Sequence, residues 1–154
     1  MTEKYKILAR FIKDVSVETP NIETYIFVKD YISKYNFNID INSIAVKDKV
    51  IEVNTKLSLS DPNKNEKKSY FEIIFATVIK IDDDLKEKKE IEKIILCDLQ
   101  NKIYSDIEKT FFKLVVNSGY PEPKPNKKID FNELYNSRQN KKLFFLREFF
   151  IKFL

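Results

Sequence analysis

Polar and apolar residues alternate in four stretches of the first half of the chain, and recur at three- or four-residue steps in the second. Residues 5–18 read as the first strand. Side chains two apart share a strand face, so Ile7, Ala9, Phe11, Val15 and Val17 are expected on one side and Arg10, Asp14, Ser16 and Glu18 on the other. Pro20 has no amide to continue a ladder and ends the strand. Residues 36–46 alternate again, with Phe37, Ile39 and Ile41 against Asn38, Asp40 and Asn42. A turn at Lys47, Asp48 and Lys49 leads to a strand over 50–59. A second turn, Asp61 to Asn65 through Pro62, leads to a strand over 69–81. Short polar turns between these three strands imply an antiparallel meander.

Between the first two strands, residues 19–35 read as a long connector without clear periodicity, carrying Tyr25, Phe27, Tyr31 and Tyr35. Connectors of this length are functional or mobile more often than inert. After residue 81 the period changes. Asp82, Asp83 and Asp84 are expected to cap a short helix over 85–97, since carboxylates favour a helix N-terminus. A longer helix is expected over 99–117, with Leu99, Ile103, Ile107, Phe111, Leu114 and Val115 on its apolar face. Gly119 suits its C-terminal end, and Pro121, Pro123 and Pro125 suit an extended connector. A last helix is expected to begin near Ile129. Strands followed by helices predict an α+β fold. The chain divides into a main domain, residues 1–137, and a basic, Phe-rich extension, residues 138–154, expected to be helical.

With 154 residues the chain suits one core. Its 34% charged residues nearly balance, at a net charge of +4, too even to argue for nucleic acid. There is no His, the commonest general base and metal ligand. The single Cys97 makes neither a zinc site nor an internal disulfide and suits a buried thiol. One Gly leaves no glycine-rich phosphate loop. These counts speak against an enzyme and against a cofactor or metal. The first residues are too charged for a signal peptide, and no apolar run reaches the ~18 residues of a membrane span. The expected compartment is a reducing cytoplasm, without stable membrane insertion.

Four phrases in register carry a family resemblance. The first strand closes on Lys13, Asp14, Val15, Ser16, Val17, Glu18, Thr19, Pro20 and Asn21. Val50, Ile51, Glu52 and Val53 open one strand; Tyr70, Phe71, Glu72 and Ile73 open another. Gly119, Tyr120 and Pro121 precede a Pro-rich connector and the phrase Ile129, Asp130, Phe131, Asn132, Glu133, Leu134 and Tyr135. Over roughly residues 5 to 135 this order and spacing resembles the SecB family of protein-export chaperones. The resemblance implies a four-stranded antiparallel sheet with two or three helices packed on one face. It also implies an ATP-independent holdase that binds unfolded precursor proteins and passes them to the SecA motor ATPase, working as a homo-oligomer, a tetramer built as a dimer of dimers.

By the same resemblance, Asp14, Glu18 and Glu72 match in type the acidic sheet positions that contact SecA, and Tyr70 stands where the family has an apolar residue. Tyr25 and Phe27 lie in the connector that walls the family's client groove; aromatic walls suit such a site because apolar burial is non-directional. The extension departs from the polar, acidic tail common in the family. As a helix it would keep only a narrow polar stripe near Lys141, Glu148 and Lys152. Such a surface would pack on its own groove, join subunits or lie on an acidic membrane. Two other functions therefore stand beside the export reading. One is a SecB-like chaperone dedicated to a single client such as an antitoxin. The other is an adaptor that uses the basic tail on a membrane surface or nucleic acid.

Overall fold

The computed structural model describes residues 3–124, 128–140 and 151–153, with the backbone alone for 138–140 and 151–153. Pro125 and residues 141–150, including Lys141 and Glu148, lie outside the described residues. Four long strands form an antiparallel sheet: β1 (Tyr5–Glu18), β2 (Asn36–Lys47), β3 (Val50–Ser60) and β4 (Tyr70–Ile81). β2, β3 and β4 make the expected meander, and β1 pairs with β4 rather than with its chain neighbour. The connection after β1 must therefore cross three strand spacings, ~14 Å, to reach β2.

That connection is not an irregular connector. It forms α1 (Ile22–Tyr31), followed by a 3₁₀ turn over Ile32–Lys34. Asn21 caps it, its side-chain oxygen accepting from the Thr24 amide at 2.9 Å. The buried stripe, Thr24, Val28 and Ile32, runs at four-residue steps. Exposed Ile22, Ile26 and Phe27 surround it with further apolar residues and blur the period in the sequence.

The aspartate run likewise caps nothing. Asp82 holds a turn, its amide on the Lys4 carbonyl and its own carbonyl accepting from the Leu85 amide. The helix starts later, as α2 (Lys88–Lys93). It passes without a break through a π-helical turn, Ile94–Asp98, into α3 (Leu99–Asn117). Gln100, fully buried just past that turn, donates to the Thr55 hydroxyl on β3 at 3.1 Å and to the Ile95 carbonyl at 3.4 Å. α3 ends in paired bonds from Gly119 N to the Val116 carbonyl and from Tyr120 N to the Val115 carbonyl. Gly119 sits at φ +98°, the left-handed geometry such an ending requires. α4 (Phe131–Asn140) begins at Asp130, whose carboxylate accepts from the Glu133 amide.

The helices cover one sheet face. Phe37 on β2 meets Phe111 and Phe112 of α3, and Phe71 on β4 packs edge-on to Tyr120 at 5.1 Å. Leu57, Ile73, Ile79, Leu99, Ile103 and Ile107 fill the layer between. Among the described residues no helix is long and apolar enough to cross a membrane.

The expected helical extension is only partly described. The backbone over 138–140 continues α4, but Ile151–Phe153 forms a strand, β5, parallel to Ile41–Ser43 of β2. That end of the chain is extended where a helix was expected. An outer strand offers unpaired amides and carbonyls to any extended neighbour, which the local apolar pattern does not reveal.

Candidate functional site

The face away from the helices is open. On it, the β1–β4 register sets Asp14 opposite Ile74, Ser16 opposite Glu72 and Glu18 opposite Tyr70. Directly opposed residues share a face, so the four residues expected to form an acidic contact surface, Asp14, Glu18, Tyr70 and Glu72, do come together.

Their chemistry is less uniform than their type. Glu72, with a side chain only 16% exposed, accepts a short hydrogen bond from the Tyr70 hydroxyl and lies 3.8 Å from the Lys56 ammonium. Burial first, and then the Glu72 carboxylate, push the Tyr70 phenol up to about 12. Tyr70 therefore stays protonated and holds Glu72 in place as a donor at any physiological pH. Further along the face, Glu52 pairs with Lys13 at 2.5 Å, and that hydrogen bond pulls its carboxyl below the usual carboxylate range. Asp14 and Glu18 are exposed and present negative charge directly to solvent. The surface is acidic at the β1 rim and zwitterionic towards β3.

The alternation expected for β1 fails in its middle. Leu8 and Lys13 are extra residues, each at a bulge where the pairing with β4 slips by one. Between them the faces exchange. Ala9 and Phe11, expected beside Ile7 and Val15, lie opposite Val78 and Ala76 on the open face. Arg10, expected beside Asp14, turns to the helix side. There its guanidinium lies 3.6 Å from Asp106 of α3 and 5.6 Å from the centre of the Phe75 ring. The acidic surface thus gains an apolar neighbour, Phe11, 45% exposed, and two lysines, Lys13 and Lys56, that sequence reasoning left out. The sequence does carry a signal: the apolar doublets Ile7–Leu8 and Phe11–Ile12 interrupt strict alternation at both bulges.

Glu18 and Tyr70 also border a cleft of about 760 Å³ with Pro20, Asp61 and Lys68. Two of its lining residues, Thr19 and Ser69, join a hydroxyl cluster with Tyr120. Thr19 and Ser69 each lie 2.8 Å from the Tyr120 hydroxyl and 3.1 Å from one another. This ring ties the end of β1 to the start of β4 and the end of α3.

The two residues expected to wall a client groove, Tyr25 and Phe27, are not brought together. The Tyr25 ring packs edge-on to Tyr120 at 5.2 Å, and its hydroxyl donates to the Gly119 carbonyl at 2.7 Å. Phe27 stacks on Tyr31 at 5.4 Å. Two residues apart on a helix is a rotation of about 200°, so one strand-like or loop-like wall cannot hold both. The apolar surface that α1 offers to solvent is Ile22 and Ile26, 61% and 59% exposed and one helical turn apart, together with the less exposed Phe27. Cys97 is buried as expected, its thiol bonded to the Asn132 side chain and pushed up chiefly by burial.

Comparison with known proteins adds identity to this geometry. The family described as preprotein translocase subunit SecB matches residues 1–142. A protein of Pelagibacter ubique (strain HTCC1062) carried under the name protein-export protein SecB is 58% identical over 140 residues, 91% of this chain and the whole of that one. Among solved structures, a SecB-like chaperone of Mycobacterium tuberculosis, in complex with an antitoxin peptide, superposes with a TM-score of 0.56 at 10% identity. That likeness covers 82% of this chain and 91% of the other, and it speaks to the fold. With the family match spanning the sheet, the crossing helix and α3, this chain belongs to the SecB family of protein-export chaperones.

Proposed function

We propose that this protein is an ATP-independent holdase of the cytoplasm that binds unfolded precursor proteins and delivers them to the SecA motor ATPase. The observation that supports this reading is the separation of two exposed surfaces of opposite character. The open sheet face gathers exposed Asp14 and Glu18 beside Phe11, with the mostly covered Glu72 next to them, an acidic surface with an apolar neighbour, suited to a basic partner. On α1, Ile22, Ile26 and Phe27 remain exposed, and such a surface holds any unfolded segment without reading its sequence. A chain with both can keep a client and a motor at once. Neither surface needs a nucleotide or a metal to act, because binding alone is the task.

A homo-oligomer belongs to the same reading. β1 ends one side of the sheet and leaves Leu8, Ile12, Val15 and Val17 exposed, more apolar surface than a solitary edge strand comfortably keeps. A second copy along β1 would cover it, and pairing of such dimers would give the tetramer and multiply client subsites.

Two assays test the reading. Without ATP, the protein should arrest refolding of several unrelated unfolded precursors in proportion to its concentration and ignore their folded forms. Arrest of one client alone would favour a dedicated chaperone of the antitoxin type. Glu72→Lys should weaken SecA binding at least tenfold and leave client arrest intact; equal loss of both would sink the assignment of the sheet face.

A further inference from the structure

Strand pairing arranges the open sheet face into cross-strand rungs, and the rung at the end away from Glu18 is basic. Lys6 stands opposite Lys80, Lys80 opposite Val50, and Val50 opposite Lys47, so three lysines share one rung on one face. All three are exposed, and none makes an ion pair among the described residues. The acids close to them in sequence are placed elsewhere. Glu3 lies 3.6 Å from Lys102 of α3, and Asp48 and Asp82 stand in the loops beyond the strand ends. Like charges set directly opposite one another destabilise a sheet, so this rung is a cost that the fold alone does not explain. From Lys80 the face continues along β4 through Val78 and Ala76 to Glu72, ~27 Å away. On β1 the same path runs from Lys6 past Ala9 and Phe11 to Asp14 and Glu18. The face is therefore positive at one end, apolar in the middle, where Ala9, Phe11 and Ile44 are exposed, and negative at the β1 rim of the other end.

We propose that the open face binds a second copy of itself in antiparallel fashion, the lysine rung of each copy lying against Asp14 and Glu18 of the other. A two-fold axis in the sheet plane, crossing the strands at Phe11 and Ala76, produces this arrangement. It reverses the strand direction and keeps each strand over its own counterpart. Lys6 and Lys80 then come level with Ser16 and Glu72, between Asp14 and Glu18, and Phe11 meets Phe11. Sheets stacked face to face sit ~10 Å apart, within reach of opposed lysine and carboxylate side chains. An anionic membrane or an acidic peptide on the same face would gain the lysines but be repelled by Asp14 and Glu18, whereas a second copy satisfies both ends. Exposed ion pairs are individually weak and screened, so the association is weak and falls with salt. It differs in this from the apolar contact along β1. It does not rest on the motor reading above; it uses the same carboxylates, so a basic partner would separate the copies.

Sedimentation velocity of the full chain at about 20 mM and about 300 mM salt tests this. The parent is expected to form a larger particle at low salt, with an apparent association constant about tenfold higher. One variant carries Lys6→Glu, Lys47→Glu and Lys80→Glu; another carries Asp14→Lys and Glu18→Lys. Each is expected to keep its high-salt size at low salt, because both ends of its face then carry one sign. An equimolar mixture of the two is expected to associate again. Thermal melts show that each variant folds, and Lys6→Gln, Lys47→Gln and Lys80→Gln replace the reversed lysines if that chain does not. Lys109→Glu with Lys113→Glu, exposed on α3, should associate like the parent. A parent whose size ignores salt overturns the proposal, as does a mixture of folded variants that stays apart or an α3 variant that behaves like the lysine one. Binding to phosphatidylglycerol vesicles that is lost in the lysine variant, with no self-association of the parent, would overturn it in favour of a membrane surface.

Discussion

Replacing Tyr25 separates the packing role of α1 from the client-binding role proposed for it. The ring packs edge-on against Tyr120, and the hydroxyl donates to the Gly119 carbonyl. Tyr25→Phe keeps the ring contact and removes one hydrogen bond, a loss of about 1 kcal/mol. Tyr25→Ala removes the bond, an aromatic pair worth about 0.5–1.5 kcal/mol and the burial of a half-covered ring, together about 3 kcal/mol. For a chain of this length 1 kcal/mol moves the melting temperature by about 3 °C, so thermal unfolding should show falls of about 3 °C and about 9 °C. Client affinity, measured by titrating an unfolded fluorescent protein at a temperature where every variant is folded, should barely change for Tyr25→Phe. By contrast the double variant Ile22→Ser, Ile26→Ser touches side chains already in water and should alter stability by no more than about 0.5 kcal/mol. It should weaken client binding about tenfold, because the apolar area that a client would cover is gone. A Tyr25→Ala variant that melts within 2 °C of the parent while losing client affinity would refute this division and make the Tyr25 ring a client contact.

Gly119→Ala should lower stability by about 1–3 kcal/mol in chemical denaturation: φ there is +98°, and a new Cβ would stand 3.2 Å from the Tyr25 ring. Phe11→Lys should leave the melting temperature within about 2 °C, since the bulge turns that side chain to the open face; a large fall would mean that it lies under the helices after all. The Glu52 carboxyl has a depressed pKa in the folded protein. Its contribution to stability is therefore present above the unfolded value and lost as pH falls through the folded one, on the acid side of about 4.5. Lys13→Ala should return the Glu52 titration, followed by carboxyl NMR shifts, towards the ordinary carboxylate range, and an unmoved titration would contradict the pairing. Gln100→Leu should cost about 1–3 kcal/mol in chemical denaturation, because it leaves the buried Thr55 hydroxyl without its amide partner.

Composition and period alone carried the class of this fold. Four alternating stretches, a strong apolar stripe from Leu99 to Val115 and the Gly119 stop all name elements that depend on neighbours a few residues away, and those elements formed where the pattern put them. The acidic surface was legible for the same reason: Asp14 and Glu18 lie in one unbroken stretch of β1, and Tyr70 and Glu72 in one stretch of β4. Other features depend on pairing between distant segments. The bulges at Leu8 and Lys13 exist because β1 must follow β4 over fourteen residues, and they send Arg10 to Asp106 and Phe11 to the open face. α1 hid in the sequence because its exposed side is nearly as apolar as its buried one; only packing against Tyr120 and the core selects Thr24, Val28 and Ile32 as the inner stripe. The charges beside Glu72 and Glu52 come from β3 and from a bulge residue, so no local reading could show that lysines neutralise half of the acidic face while Asp14 and Glu18 stay open to solvent. Short-range periodicity is written residue by residue along a chain, whereas strand register and the choice of which apolar side is buried are set by contacts that exist only once the sheet has closed.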